Sequence, residues 1–427
     1  MPGAAARPVS GAPPAGRAGL SAPRIDSAAL GSLAGAVAAI LHLAGALKST
    51  PLGAALPVDL TLLAGGLLLP LLALLLLTRR WWLHPGLGPP LAGAALLWLW
   101  LVLAGSWSGS RAILAAKLPE VVLLAPVMLL AGLAVGADAG ARRLAVGVAL
   151  ASGPLVAASV AVGLATGQVV LGGMAGTTAP DMLRVQYQLA GLAIACAAGL
   201  SAVRLVEAGG WPGRLLWGGL TALLAAASLL PGGRTALAAL ALSVLLVPAL
   251  RCWSAGQPRH ALGWLALAAC GGAAALATLL LDDGATAGLR TLERLTQGDL
   301  ESSARPALWR AALEWGAETL PWGLGTGGFT PAAGHGERRG LYPHNHALEA
   351  WAEGGLPGLL LWLLAFGGAA LLLLLRCRQV APARVARIAA LALPVVLAAM
   401  VSTDLGNRMV WFALGLALSI GVMARRV

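Results

Sequence analysis

The sequence predicts an all-α polytopic membrane protein of about twelve transmembrane helices with one large external loop. Three observations carry that prediction. Of 427 residues, 59% are hydrophobic and only 11% charged, with a mean hydropathy of +0.83. Apolar runs of roughly 20 residues recur along the chain, the length that crosses about 30 Å of hydrocarbon. The runs are continuous in Leu, Ala and Val rather than alternating. A bilayer admits only helices or closed barrels, so this pattern selects helices.

Residues 1–27, rich in Pro, Ala and Gly with Arg7, Arg17 and Arg24, are expected to form a disordered cytoplasmic tail. No short apolar core with a cleavage site follows them, so the first apolar run is expected to be a retained membrane helix. The spans are read at 28–47, 57–78, 88–107, 118–137, 144–165, 185–203, 214–231, 235–250, 261–281, 355–375, 388–403 and 409–424. Nine of them fill residues 28–281. A loop over 282–354 separates these from three more in 355–427, which ends in a short cytoplasmic C-terminus.

Charge orients this array. With the N-terminus inside, alternate segments hold 17 of the 29 basic residues, including the pairs Arg79-Arg80, Arg142-Arg143 and Arg425-Arg426. Only Asp26, Asp138 and Glu207 oppose them there, and the other 14 of 17 acids fall outside. A Lys/Arg excess in short loops marks the cytoplasmic side. Both termini are therefore expected in the cytoplasm and the long loop outside. The same sorting accounts for the net charge of +12 through contacts with anionic lipid. It excludes nucleic-acid binding, which needs a basic soluble surface. Cys196 and Cys270 lie in spans, while Cys252 and Cys377 are on the cytoplasmic side. No disulfide is expected, and no metal-ligand spacing occurs.

Loop 282–354 holds ten of the 17 acids and all three external histidines. A loop of that length is uncommon unless it is functional. Ser303 is placed to cap a helix with Pro306 in its first turn. Trp309, Leu313, Gly316 and Leu320 recur on one face of that helix, opposite Arg310, Glu314 and Glu318. The pattern predicts an amphipathic helix on the membrane or over the bundle, ended by Pro321 and the glycine-rich turn 322–329.

Three residues stand out chemically. His344 sits where the loop re-enters the membrane, between Pro343 and Asn345. A neutral imidazole is well suited to take a proton from a hydroxyl. Arg305 opens the amphipathic helix, and its fork matches phosphate oxygens. Arg234 lies in Pro231-Gly232-Gly233-Arg234-Thr235, between two spans with almost no loop to solvate it. Charge at that depth suggests function. Read locally, each has a plainer role: a polar helix start for His344 and His346, a headgroup anchor for Arg305, a snorkelling side chain for Arg234. Arg184 with Gln186 can line the same outer cavity or anchor to headgroups. Arg338 and Arg339 can steer an anionic substrate or simply be solvated. Asp282 and Asp283 mark a helix exit, and His42 lies within the first span without an evident partner.

The pattern His344-Asn345, nine residues, Gly355, two residues, Gly358 resembles the motif of the bacterial O-antigen ligases and related polysaccharide polymerases. The segment from Arg305-Pro306-Ala307-Leu308-Trp309 to Gly325-Thr326-Gly327-Gly328-Phe329 is similar to the stretch before that motif, and Arg234 matches the family's inter-span arginine. The specific likeness covers about 230–360. It implies a GT-C-like, metal-independent, inverting glycosyltransferase with no cofactor. Its donor would be a glycan on undecaprenyl diphosphate and its acceptor a hydroxyl of a glycan or lipid, on the periplasmic face of the inner membrane. In that frame His344 is the general base and Arg234 and Arg305 hold the diphosphate. Asn345, Gly355 and Gly358 support the site, while Arg184, Arg338 and Arg339 stay candidate substrate contacts on the local reading alone. The family often has serine beside the inter-span arginine, where this chain has Gly232 and Gly233. Ligation onto lipid A-core, chain polymerisation and protein O-glycosylation share these motifs. A lipid or polysaccharide transporter is the non-enzymatic rival. It would require ionisable residues within several spans or an inverted repeat.

Overall fold

A computed structural model describes residues 27–171, 182–281, 289–296 and 305–426. The expectations for the N-terminal tail, Ser303, Asp282 and Asp283 lie outside these residues. Helices dominate. They are α1 (Ser27–Leu47), α2 (Leu60–Leu77), α3 (Gly88–Ala104), α4 (Arg111–Pro119), α5 (Ala125–Ala137), α6 (Ala139–Ala165), α7 (Tyr187–Glu207) and α8 (Trp211–Ala227). After these come α9 (Arg234–Ser254), α10 (Pro258–Leu281), α11 (Arg290–Thr296), α12 (Arg305–Glu318), α13 (His346–Trp362), α14 (Gly368–Arg376), α15 (Pro382–Val401) and α16 (Arg408–Leu418). Ten helical segments among the described residues are long and apolar enough to cross a membrane. The chain is an all-α polytopic membrane protein.

The other two of the twelve expected spans are shorter helices. α8 has 17 residues, because the chain turns through Leu229 and Pro231 toward the glycine pair. α16 has 11, because beyond Gly421 the chain becomes a strand. That strand, β4 (Val422–Arg426), pairs antiparallel with β1 (Arg79–Leu83). A second, parallel pair joins β2 (Val169–Leu171) to β3 (Leu183–Val185).

α7 is the central helix, buried continuously from Ala190 to Val203. Its Ala- and Gly-rich sequence lets neighbours approach closely, which is how helices associate where lipid removes the hydrophobic drive. A Cβ at Gly191 would meet that of Ala236 on α9 at 2.1 Å, and one at Gly153 on α6 would meet that of Ala197 at 2.2 Å. α10 is the opposite case, with only Ala261 buried.

Ionic and polar contacts fall into two sets. Arg79 pairs with Asp138 at 3.0 Å, Arg251 with Glu207 at 3.1 Å, and Arg384 donates to the carbonyls of Ser419 and Val422. These residues belong to segments expected on one side. Lys48–Asp59, Ser110–Glu337 and Arg339–Glu120 join segments expected on the other.

At α13 the chain reverses. Sixteen residues of straight helix would separate His346 from Trp362 by about 24 Å. Instead Trp362 Nε1 donates to His346 Nδ1 at 3.0 Å. The hinge is Gly355, at φ 62 and ψ −156. Residues 346–354 and 356–362 therefore form two arms, and the apolar run beyond the hinge begins where the sequence placed it.

Gly355→Ala is expected to prevent folding. Its backbone lies in a region that costs of order 1–3 kcal/mol for any other residue, and a Cβ would sit 2.1 Å from the Pro321 carbonyl oxygen. Gly219→Ala, with nothing within 4 Å of the added Cβ, is the matched control. Size-exclusion chromatography of detergent extracts should show a folded peak for the second and none for the first.

Candidate functional site

The site is assembled at the reversal. α12 packs on α13 through Leu308, Ala312 and Gly316. This corrects the expected face of Trp309, Leu313, Gly316 and Leu320: only Gly316 is shared, and Leu313 and Leu320 are exposed. Small size decides it, since a Cβ at Gly316 would lie 2.1 Å from Trp351 Nε1.

The glycine-rich turn is then clamped under the hinge. Leu324 N and Gly325 N donate to the carbonyls of Ala352 and Glu353, both at 2.9 Å, and Leu356 N donates to Pro321 O at 3.0 Å. Gly323, Gly325 and Gly327 all have positive φ. These glycines seat one backbone against another.

Beneath lies a cluster that joins the two carboxylates of the segment 341–358, notable already in the sequence, to a lysine that the sequence did not single out. Lys117, which α4 carries into the bundle, is 2% exposed, beside Glu349 at 0% and Glu353 at 1%. Its ammonium donates to Glu349 and to both oxygens of Glu353, at 2.9 and 3.0 Å. Glu353 also accepts from Gly327 N at 2.8 Å, and Glu349 from Leu405 N at 3.0 Å. Three segments are thus tied to the arm that begins just after His344. The available signal was the i, i+4 spacing of Glu349 and Glu353, which puts two carboxylates on one helical face.

His344 is the non-glycine residue with positive φ among those described, at 55. Such backbone strain clusters at functional positions. Asn345 caps the adjoining arm of α13, its side-chain oxygen accepting from Ala347 N and Leu348 N at 3.0 Å each. The Tyr342 ring lies 4.0 Å from that of His344, and its hydroxyl donates to Ser402 O at 3.0 Å. Burial, aided by the Asp404 and Glu349 carboxylates, pushes the Tyr342 phenol up and keeps it protonated. Burial and then the Arg305 guanidinium hold the His344 imidazole below its ordinary pKa, while backbone groups of Ser402 and Gly340 and the Asp404 carboxylate pull upward. The neutral ring is favoured at neutral pH. His346 differs: it is fully buried, facing Trp362 and Phe366 inside the bundle.

Arg305 is thus brought electrostatically beside His344. Arg234 opens α9 one helix start away, with α7 as the link. A Cβ on Gly233 would lie 3.4 Å from the Tyr187 ring, and the next residue, Gln188, accepts from Ser402 Oγ at 2.6 Å. Gly232 has φ 84 and its N–H donates to Thr291 Oγ1 at 3.1 Å. Gly358 lets the two arms of α13 touch, since a Cβ there would meet the Ala350 carbonyl at 2.5 Å. Arg184 is exposed on β3 and Arg338 is exposed in the loop. Arg339 is engaged instead with Glu120, and lies 3.9 Å from Asp404. A separate groove of about 620 Å³, lined by Ser159, Val162, Met182 and Leu183 among others, includes none of these groups.

Residues 219–363 match the sequence model of a family described as O-antigen ligase. That stretch is similar to the O-antigen ligase family. No curated protein matches the chain. The matched stretch spans about a third of the sequence and includes Arg234, Arg305, His344, Asn345, Gly355 and Gly358. Lys117, Ser402 and Asp404 lie outside it and reach the site only through the fold.

The ion cluster gives a sharp test. Removing one partner of a buried charge set costs about 3–5 kcal/mol, because the remaining charge is uncompensated. Lys117→Met is expected to lower the unfolding temperature strongly. Adding Glu349→Gln and Glu353→Gln should recover much of the loss. A triple variant no better than Lys117→Met would show that packing, not charge, sets the cost.

Proposed function

We propose that the protein is an integral membrane glycosyltransferase of the O-antigen ligase type. It transfers a glycan from undecaprenyl diphosphate to an acceptor hydroxyl on lipid A-core, at the periplasmic face of the bacterial inner membrane. The observation that carries this reading is the stretch similar to O-antigen ligases, which holds Arg234, Arg305 and a half-buried His344 on a strained turn. The Arg-rich ends of the bundle support a cytoplasmic location for both termini.

His344 takes the proton of the acceptor hydroxyl as that oxygen attacks the anomeric carbon. The bond from that carbon to the diphosphate oxygen breaks on the opposite face, so the configuration inverts. Undecaprenyl diphosphate leaves with the electron pair. Arg234 and Arg305 balance its charge, a role divalent cations fill in other phosphate chemistry. Asn345, Gly355 and Gly358 keep the base on its turn, and Arg184 and Arg338 are exposed guanidiniums available to the approaching substrate. Arg339 is engaged with Glu120 and stays a candidate substrate contact.

Purified protein given a lipid-diphosphate glycan is expected to release undecaprenyl diphosphate. Donor moved intact across the bilayer would point to a transporter instead. His344→Ala is expected to cut transfer roughly a hundred- to ten-thousand-fold with protein levels unchanged. Wild-type transfer by that variant removes His344 from the base role. A deletion strain should lose all attached polymer if the protein is a ligase, whereas a polymerase defect leaves a single attached unit.

The pH profile tests Arg305 as well. A base with lowered pKa stays neutral as pH falls, so kcat/KM should hold through about 6.5, the ordinary imidazole value, and decline only below it. Arg305→Gln removes one depressing influence and should move that acid limb upward. An unmoved limb would separate the two residues.

A further inference from the structure

Four segments remote in sequence wall a cavity of about 130 Å³, on the scale of one pyranose ring. Its polar lining is Glu120, Arg339, Asp404, Asn407 and Arg408, with Leu189 among the apolar residues. The two carboxylates and two guanidiniums cancel formally. That balance suits a neutral polyol better than a phosphate, which carboxylates repel. Glu120 opens the π-helical turn Glu120–Leu124 between α4 and α5, a distortion frequent at functional positions. The Asp404 carboxylate is largely buried, yet among the described residues it accepts no hydrogen bond, and Arg339 Nη2 at 3.9 Å is too far to supply one. Asn407 spends its side-chain oxygen on Met409 N at 3.0 Å, capping α16. A buried carboxylate without donors is costly, and hydroxyl groups would satisfy it.

The cavity is linked to the proposed base through its lining. Arg339 lies on the strand of loop that runs directly to His344. Ser402, two residues before Asp404, holds the Tyr342 hydroxyl, and the Tyr342 ring covers His344. We propose that this cavity is the acceptor subsite: it binds one neutral sugar residue of the acceptor, with Glu120 and Asp404 accepting from its hydroxyls, and presents a neighbouring hydroxyl to His344. The assignment rests on the glycosyltransferase reading for its catalytic meaning, while sugar binding can be measured by itself. Arg305 and Arg234 are left to the donor.

The test uses the full chain in lipid nanodiscs without donor. Saturation-transfer NMR is recorded with methyl glycosides of glucose, galactose and N-acetylglucosamine, for wild type, Glu120→Gln, Asp404→Asn and the double variant. Undecaprenyl diphosphate binding and melting temperature are measured on the same samples. Expected is saturation transfer from wild type to at least one glycoside. Each single variant should bind it roughly tenfold more weakly, as befits one lost charge-assisted hydrogen bond, and the double variant should lose it. Undecaprenyl diphosphate binding and melting temperature should stay unchanged, and His344→Ala should still bind sugar. No signal from wild type, equal signals from wild type and variants, or a parallel loss of undecaprenyl diphosphate binding overturns the proposal. A wild type that binds glycoside in this cavity but releases no undecaprenyl diphosphate supports the sugar site and defeats the glycosyltransferase reading, so the two failures are distinct.

Discussion

The contact on which the site depends is the buried salt bridge of Lys117 with Glu349 and Glu353. A lysine and two glutamates so deep in an apolar bundle are tolerable only because each is multiply hydrogen-bonded. Those bonds reach the glycine-rich turn through Gly327, the 402–409 segment through Leu405, and α4 through the lysine itself. Loosening any one exposes uncompensated charge. The ion cluster therefore locks the relative placement of segments separated by more than two hundred residues in sequence.

Above that anchor, the reversal at Gly355 sets what can reach the membrane surface. Because the arm 346–354 turns back against 356–362, His344 stands on a strained loop turn at its free end. His346, two residues on, is committed to Trp362. Two neighbouring histidines acquire different environments through one change of backbone direction. The lowered pKa of His344 has the same origin, as the turn half-buries it and the field of Arg305 adds to that.

Much of this was legible in the sequence, and for definable reasons. Hydrocarbon thickness imposes a length on every span, so helix class and most span positions could be read from apolar runs. The span from 355 was placed correctly because a glycine pair at Gly354-Gly355 interrupts the pattern. The last apolar helix begins where expected but ends short of 424, since pairing of β4 with β1 depends on a partner more than three hundred residues away. The face of α12 was misjudged by one position. Hydrophobicity favours Leu313, but close packing against Trp351 favours Ala312 and Gly316.

By itself, the sequence determined the membrane class and the order of most helices. Composition, span length and local motif act over short distances and survive without a fold. Only the tertiary structure decided which charges neutralise one another. It withdrew Arg339 from the set of free cations, joined Lys117 to two glutamates, and set Asp404 beside Tyr342 and His344. Electrostatic partnership depends on distance in space, and a chain that crosses a membrane repeatedly separates in sequence what it brings together at each face.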